Sequence, residues 1–240
     1  MTTVRCEPWI LFGIPIHLDP GWFVVVALMS WSLSSSYFPS SYPGFSHLVY
    51  WGMGTAAALL LFACILLHEL GHSLVAKSHG IPVACVTLFL FGGVAHITES
   101  PKRPSVELQV ALAGPLVSVL IAAVCLWGSA HMPLATPLHL VVAAIIRYLG
   151  VINIGLALFN LLPGFPLDGG RVLRATLWAW TGSLRRATRA ASIIGILFGF
   201  GLIALGLWAL STGKWMGGLW YLFLGWFLRN AALQSYRRVR

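Results

Sequence analysis

The stretch Leu61-Phe-Ala-Cys-Ile-Leu-Leu-His-Glu-Leu-Gly-His-Ser-Leu-Val-Ala76 places two histidines and one glutamate inside an apolar helical run. The run extends from about Leu48 to Ala76, longer than the roughly 20 residues with which a helix crosses the hydrocarbon of a bilayer. Ionisable residues at membrane depth are costly, and they are functional by default. The stretch therefore predicts a membrane-spanning helix that carries a chemical site.

The composition of the whole chain agrees with a membrane protein. Of the 240 residues, 58% are apolar and only 9% are charged, whereas a soluble domain carries about a quarter charged residues. Six Asp and Glu with fifteen Lys and Arg cannot cover the surface of a water-soluble globule of this size. The composition therefore excludes an ordinary soluble enzyme, a disordered chain, a collagen-like fibre and a disulfide-knotted secreted domain.

Apolar runs of suitable length predict the membrane spans. We predict a membrane all-α fold of about six transmembrane helices, formed by one polytopic membrane domain over residues 1–240. The last span is short, so it is expected to be tilted or partly interfacial. The predicted spans cover about 21–36, 48–76, 106–127, 138–162, 191–210 and 215–228.

The segment 81–97 differs from the other connections. It is rich in β-branched and aromatic residues, it is too short for a span, and Gly92-Gly93 interrupts it. We interpret it as one or two short strands that lie at the membrane interface or dip into it.

The net charge of +9 follows the predicted topology. If six spans alternate, one face of the membrane receives both termini and the long connections, while the opposite face receives Lys214 and Arg147 lies inside a span. By the positive-inside rule, both termini are then cytoplasmic in a multi-pass protein of the cell membrane. The basic excess is thereby explained, so we expect no nucleic-acid partner. The Lys and Arg residues of the predicted cytoplasmic face are Arg5, Lys77, Lys102, Arg103, Arg171, Arg174, Arg185, Arg186, Arg189, Arg229, Arg237, Arg238 and Arg240.

His68 and His72 have the spacing of metal ligands. Residues four apart lie on one face of a helix with Cβ atoms about 5–6 Å apart, so two imidazoles can reach one metal ion. Glu69 lies about a quarter-turn away, which suits contact with a metal-bound water. This His-Glu-x-x-His pattern is typical of zinc peptidases. The alternative is a structural cluster without a metal.

A catalytic zinc site needs a third protein ligand and an open position for water. Glu99 and Glu107 lie among charged residues and prolines, a pattern that predicts a wet loop and the start of a helix. Asp168 is the better candidate, because it lies in the glycine-rich break 162–170 on the predicted membrane side where the second span ends. It could instead cap a helix that begins near Gly169.

Asn160 lies eight residues before Asp168, near the end of the fourth span. Its side chain could hydrogen-bond the substrate or an oxyanion. A hydrogen bond between two membrane helices is the alternative.

The two motifs together resemble the site-2 protease family of intramembrane zinc metalloproteases. His68-Glu-Leu-Gly-His72 matches one family motif. Asn160-Leu-Leu-Pro-Gly-Phe-Pro-Leu-Asp-Gly169 matches the other, Asn-x-x-Pro-x-x-x-Leu-Asp-Gly, at each defined position. Ala113-Gly-Pro115 in the third span also resembles a family element, and the resemblance covers about residues 48–175.

The resemblance implies a set of roles. One zinc ion per chain is held by His68, His72 and Asp168, Glu69 is the general base and proton shuttle, and Asn160 assists the substrate or the transition state. The implied partners are the lipid bilayer and a transmembrane protein substrate, cleaved in or near its membrane segment. The strand-like segment 81–97 is expected to hold the unwound substrate as an added strand, although a strand pair that only packs against the helices would fit the same pattern.

Two further expectations concern the extent of the chain. The connection between the strand segment and the third span is short for the peptide-binding domain that some family members insert there. The chain ends about a dozen residues after its last predicted span. We therefore expect a minimal form without that domain and without C-terminal nucleotide-sensing modules.

A membrane metal transporter, with the His and Asp cluster as its ion site, is the main alternative function. Transporters need a polar path across the whole bilayer, whereas the polar residues here cluster toward one side. A di-iron oxygenase would need further His-rich segments, which the eight scattered histidines do not form. The intact Glu69 argues against a catalytically inactive scaffold. The sequence makes no prediction of the oligomeric state.

Overall fold

The computed structural model describes residues 9–89, 92–133 and 135–237. It is mainly helical with one small sheet, which confirms the predicted fold class. The elements in chain order are β1 (Trp9–Leu11), β2 (Ile14–Leu18), α1 (Pro20–Ser32), α2 (Phe38–Ser41), α3 (His47–Ser78), β3 (Val83–Phe89), β4 (Gly92–Ile97), α4 (Pro104–His131), α5 (Pro137–Asn160), α6 (Asp168–Thr181), α7 (Leu184–Ser211) and α8 (Trp215–Arg237).

Within the described residues, five helical segments are long and apolar enough to cross a membrane. They correspond to the first five predicted spans. In the first of them, a π-helical turn joins α1 to α2. The five segments are Pro20–Ser41, His47–Ser78, Pro104–His131, Pro137–Asn160 and Leu184–Ser211.

The sixth predicted span corresponds to α8, a helix of 23 residues that is not one of these five. It nevertheless runs antiparallel along α7. A Cβ at Gly206 would lie 2.9 Å from the carbonyl oxygen of Gly218, and the Arg189 guanidinium lies 5.8 Å from the ring centroid of Tyr236. These contacts are separated along α7 by the residues from 189 to 206, or about 26 Å of helix. Because α8 runs alongside α7 over this length, the two helices cover the same range of depth in a membrane.

α3 has clear signals at both ends. The side chain of Ser46 accepts a hydrogen bond from the backbone N–H of Val49, as a helix N-cap does. The helix ends where Gly80 adopts a left-handed conformation with φ of 74°, which glycine adopts without steric cost. Residues between the two caps form one unbroken helix, so His68 and His72 lie about one turn apart on a continuous scaffold, with Glu69 next to His68.

The four strands form one sheet in the order β1-β2-β3-β4. β3 and β4 lie in the segment 81–97, as predicted, and they pair in antiparallel fashion. The strands that the sequence predicts lie only in 81–97, whereas the structure adds β1 and β2, and β2 pairs in parallel with β3, with Ile16 opposite Val86. A parallel pair requires a long crossover connection. Here the crossover contains α1 to α3, so no local signal marks the pairing.

The sheet packs on α3 through one apolar face. Ile14, Ile16 and Val86 are buried together with Leu70 of α3. Because Leu70 lies inside the His-Glu-x-x-His motif, the sheet is fixed directly against the helix turn that carries the chemistry.

The chain divides into two compact units. Among the described residues, the first unit takes those between 9 and 100 and between 113 and 157, and the second takes 101–112 and 158–237. The sheet and the histidine motif belong to the first unit, and the Asp168 motif belongs to the second. The prediction of one membrane domain over residues 1–240 stays a prediction.

Candidate metal centre

His68 and His72 aim the same ring nitrogen at a common point. Their Nε2 atoms lie 3.2 Å apart, both residues are only 3% exposed, and the ring planes are inclined by 78°. If a metal ion lay 2.0–2.1 Å from both nitrogens, the nitrogen–metal–nitrogen angle would be about 100°. This angle is close to the tetrahedral value, so the histidine pair fits two ligands of one tetrahedral zinc.

The other ring nitrogen of His68 is engaged by a second helix. Its Nδ1 lies 2.9 Å from the Oγ of Ser118 on α4, and Ser118 is completely buried. Because Nδ1 is engaged by Ser118, Nε2 is the nitrogen of His68 that faces His72 and the position of the metal. A single serine in an apolar run carries no sequence signal, and Ser118 was not predicted.

Gly114 makes room for the two imidazoles. A Cβ at this position would collide with Nε2 of His72 and would lie 2.7 Å from Nε2 of His68. Gly71 has the reciprocal role on α3, since its Cβ would lie 3.0 Å from the carbonyl oxygen of Ala113. The close approach of α3 and α4 therefore depends on a glycine in each helix.

We expect Gly114→Ala to weaken zinc binding by about 100-fold, the upper end of the losses seen when groups that orient metal ligands are altered. The added methyl group occupies the space in which the two Nε2 atoms converge. Gly128→Ala is the matched control, because it lies in the same helix and a Cβ there has no heavy atom within 4 Å. Titration against a zinc chelator measures both affinities, and equal affinity in the two variants would contradict the assignment.

The carboxylate of Glu69 is tied to the sheet. Its Oε2 accepts a hydrogen bond of 3.1 Å from the backbone N–H of Ala95 in β4. A Cβ at Gly93 would lie 2.6 Å from Cγ of Glu69, so the glycine provides the space that the glutamate fills. The Ser73 hydroxyl donates to the Glu69 carbonyl oxygen at 2.8 Å. The glutamate beside the two histidines is thus held by the strand at the end of the sheet.

Asp168 and Asn160 belong to the second unit, on either side of the break in the helices. Asn160 is the last residue of α5, Asp168 is the first residue of α6, and both are partly buried. The N-cap position of α6 is Leu167. Asp168 therefore does not occupy the N-cap position that the alternative interpretation assigns to it.

The break between Asn160 and Asp168 is anchored through Phe165. Its N–H donates to the carbonyl oxygen of Ala191 at 3.3 Å, and a Cβ at Gly195 would collide with its carbonyl oxygen. The Arg174 guanidinium lies 5.0 Å from the centroid of its ring. Phe165 precedes Asp168 by three residues, so contacts with α6 and α7 fix the backbone that leads into the aspartate.

The expectation of a wet environment for Glu107 is wrong. The residue is completely buried, and its Oε1 accepts a hydrogen bond of 2.6 Å from Nε of Arg174, with which it forms an ion pair. Its neighbours in the sequence are polar, but the partner that compensates its charge lies 67 residues away. Glu99 is exposed, as expected.

We expect Glu107→Ala to destabilise the protein by about 3 kcal/mol, because Arg174 would keep a largely buried charge without its partner. In a chain of this size the change corresponds to a melting temperature lower by roughly 6–12 °C. Differential scanning fluorimetry in detergent measures the change. The control Glu99→Ala removes an exposed carboxylate and should leave the melting temperature unchanged, and an equal shift in both variants would contradict the prediction.

Comparison of the sequence with known proteins identifies the family to which the chain is related. The family model of peptidase family M50 matches residues 56–138 and 133–203. The Synechocystis sp. protein sll0528, grouped by its name with the zinc metalloproteases, is 42% identical over 231 residues, which are 96% of this chain and 59% of that protein. Zinc metalloprotease MJ0392 of Methanocaldococcus jannaschii is 40% identical over 152 residues, which are 61% of this chain and 43% of that protein.

A solved structure supports the same conclusion. The site-2 protease from Methanocaldococcus jannaschii superposes with a TM-score of 0.62 at 28% identity, over 96% of this chain and 94% of that one. The chain spans about three-fifths of the length of sll0528. With the motifs, the histidine geometry and these similarities together, the chain belongs to peptidase family M50.

Proposed function

We propose that the chain is an intramembrane zinc endopeptidase, which hydrolyses a peptide bond in or near a transmembrane segment of a membrane-protein substrate. The observation that carries the proposal is the convergence of two buried Nε2 atoms, 3.2 Å apart, on a helix that is long and apolar enough to cross a membrane. A glutamate held by a strand lies next to this pair. Such a combination is suited to hydrolysis by metal-activated water inside a membrane.

One zinc ion per chain is held in this proposal by His68, His72 and Asp168. Two imidazoles and one carboxylate are donors that catalytic zinc sites use. Three protein ligands leave the fourth position of a tetrahedral ion to water.

Each residue of the proposed site has a separate role in the hydrolysis. Bound zinc lowers the pKa of its water to about 7 and polarises the scissile carbonyl. The Glu69 carboxylate takes a proton from the water and returns it to the leaving amine, while the Ala95 N–H keeps one of its oxygens oriented. The side-chain amide of Asn160 donates a hydrogen bond to the substrate carbonyl oxygen, where negative charge develops.

β4 is proposed to hold the substrate. A transmembrane helix protects its peptide bonds by internal hydrogen bonds, so it must unwind before cleavage. β4 lies at the end of the sheet, and β3 is its neighbour. A peptide added along the other edge of β4 would satisfy its own backbone groups there. The hydrogen bond from Ala95 to Glu69 places the general base against the same strand.

We propose that both termini face the cytoplasm. The support is the antiparallel course of α8 along α7, which returns the chain to the side from which α7 started. The positive-inside rule then accounts for the concentration of Lys and Arg on one side of the predicted topology.

Quantitative mass spectrometry of membranes tests the proposed function. Cells that express the wild-type chain are compared with cells that express Glu69→Gln at the same level. We expect at least one membrane protein to accumulate uncut in the variant, with a shorter product in the wild type that ends within or beside a predicted membrane span. Identical peptide patterns in both samples, together with zinc transport by the wild type into vesicles, would favour the transporter instead.

A further inference from the structure

We propose that Ser118 is a positioning residue of the metal site. Its hydroxyl holds the Nδ1 side of the His68 ring and so directs Nε2 toward the position of the metal. The inference rests on the proposed function only in so far as His68 is a zinc ligand.

The geometry of the contact supports this role. The Ser118 Oγ lies 2.9 Å from Nδ1 of His68, and both residues are buried, the serine completely and the histidine to 3% exposure. A neutral imidazole has one N–H and one lone pair. With the N–H on Nδ1 donating to the serine oxygen, the lone pair is on Nε2, the atom that faces His72 at 3.2 Å.

Ser118 and Gly114 act from the same face of α4. They lie four residues apart, so they stack on one side of the helix. Gly114 leaves space for the two Nε2 atoms, and Ser118 contacts Nδ1 on the opposite side of the His68 ring. The imidazole of His68 is therefore confined at both ends by α4, which restricts its rotation.

Other buried serines of the chain use their hydroxyls differently. The hydroxyls of Ser34 and Ser73 donate to the carbonyl oxygen four residues earlier in their own helix, a common arrangement in apolar helices. The Ser118 hydroxyl contacts a side chain of another helix, 50 residues away in the sequence. Groups in contact with the second nitrogen of a metal-binding histidine raise its basicity and typically change metal affinity 10–100-fold when they are removed.

The test compares Ser118→Ala, which removes the hydroxyl, with Ser118→Thr, which keeps it. Zinc affinity is measured on the full chain in detergent by competition with a chelator, and the visible absorption spectrum is recorded after loading with Co²⁺. We expect Ser118→Ala to lose about 10–100-fold in zinc affinity and to change the cobalt spectrum. Ser118→Thr should retain an affinity within a few-fold of the wild type and the wild-type spectrum.

Ser30→Ala is the matched control, because this buried serine lies on α1 and its hydroxyl has no hydrogen-bond partner in the described part of the chain. It should leave affinity and spectrum unchanged. Wild-type affinity and spectrum in Ser118→Ala would overturn the proposal, as would a folded Ser118→Thr that is as weak as the alanine variant. If Ser118→Thr does not fold, the comparison of Ser118→Ala with Ser30→Ala decides. A wild-type chain that binds no zinc would instead refute the proposed function.

Discussion

Glu69→Gln is expected to retain zinc and to lose peptide cleavage by about 10²–10⁴-fold, the contribution that a well-placed general base makes. Glutamine has nearly the shape of glutamate, and its side-chain oxygen can still accept the hydrogen bond from the Ala95 N–H. The amide cannot take a proton from the water, so the chemical step is lost while the metal site remains.

The measurement combines the rate of cleavage under single-turnover conditions with the zinc content of the purified protein. Glu99→Gln is the control, since it makes the same chemical change at an exposed position. Cleavage by Glu69→Gln within a few-fold of the wild type would exclude Glu69 as the base. A loss of zinc together with activity would instead indicate that the carboxylate contributes to holding the metal.

Asp168→Ala is expected to lower zinc affinity by at least about 100-fold, since it removes a ligand and the effect should exceed the 10–100-fold cost of losing a group that only orients one. Two imidazoles alone leave two positions of the tetrahedral ion to water, which binds less firmly than a fixed carboxylate. Cleavage should fall in proportion to the zinc that is lost.

A matched control separates this role from helix capping. Asp19 is the N-cap of α1, where its carboxylate accepts a hydrogen bond of 2.8 Å from the N–H of Gly21. Asp19→Ala should cost about 1 kcal/mol of stability and leave zinc affinity unchanged. If Asp168→Ala behaves in the same way, with lower stability and full zinc affinity, the aspartate stabilises the start of α6 and is not a ligand.

Several features of the fold could be predicted from the sequence because their signals are local. The apolar runs give the spans, since a helix satisfies its own backbone in lipid and needs no distant partner. The β-branched segment 81–97 gives β3 and β4 because these two strands are neighbours in the chain and pair with each other. β2 depends instead on the pairing of Ile16 with Val86 across three helices, and no local signal in residues 9–18 points to that distant partner.

The same distinction applies to the site. His68, Glu69 and His72 could be predicted because their spacing on one helix is itself the chemical pattern. The groups that position the two histidines lie on another helix, α4. Gly114 gives space, and Ser118 contacts the imidazole. Gly114 lies in the Ala113-Gly-Pro115 element that resembles the family, but the space it provides becomes visible only with the packing partner, and a lone serine in an apolar span carries no signal of its own.

Glu107 shows how local context can mislead. Charged residues and prolines beside it predict contact with water, yet Arg174 on α6 neutralises it in a completely buried position. The ion pair also links Glu107 to Phe165, because the same guanidinium stacks on that ring. Glu107, whose neighbours in the sequence suggest the solvent-exposed start of a helix, thus helps to support the Asp168 motif.

X-ray absorption at the zinc edge tests the central claim most directly, namely that this chain holds one zinc with two histidines and one aspartate. The account predicts two imidazole nitrogens and two oxygens, all at about 2.0–2.2 Å, with one oxygen lost or replaced in Asp168→Ala. A sulfur shell at about 2.3 Å, or a spectrum that is the same in wild type and Asp168→Ala, would contradict it.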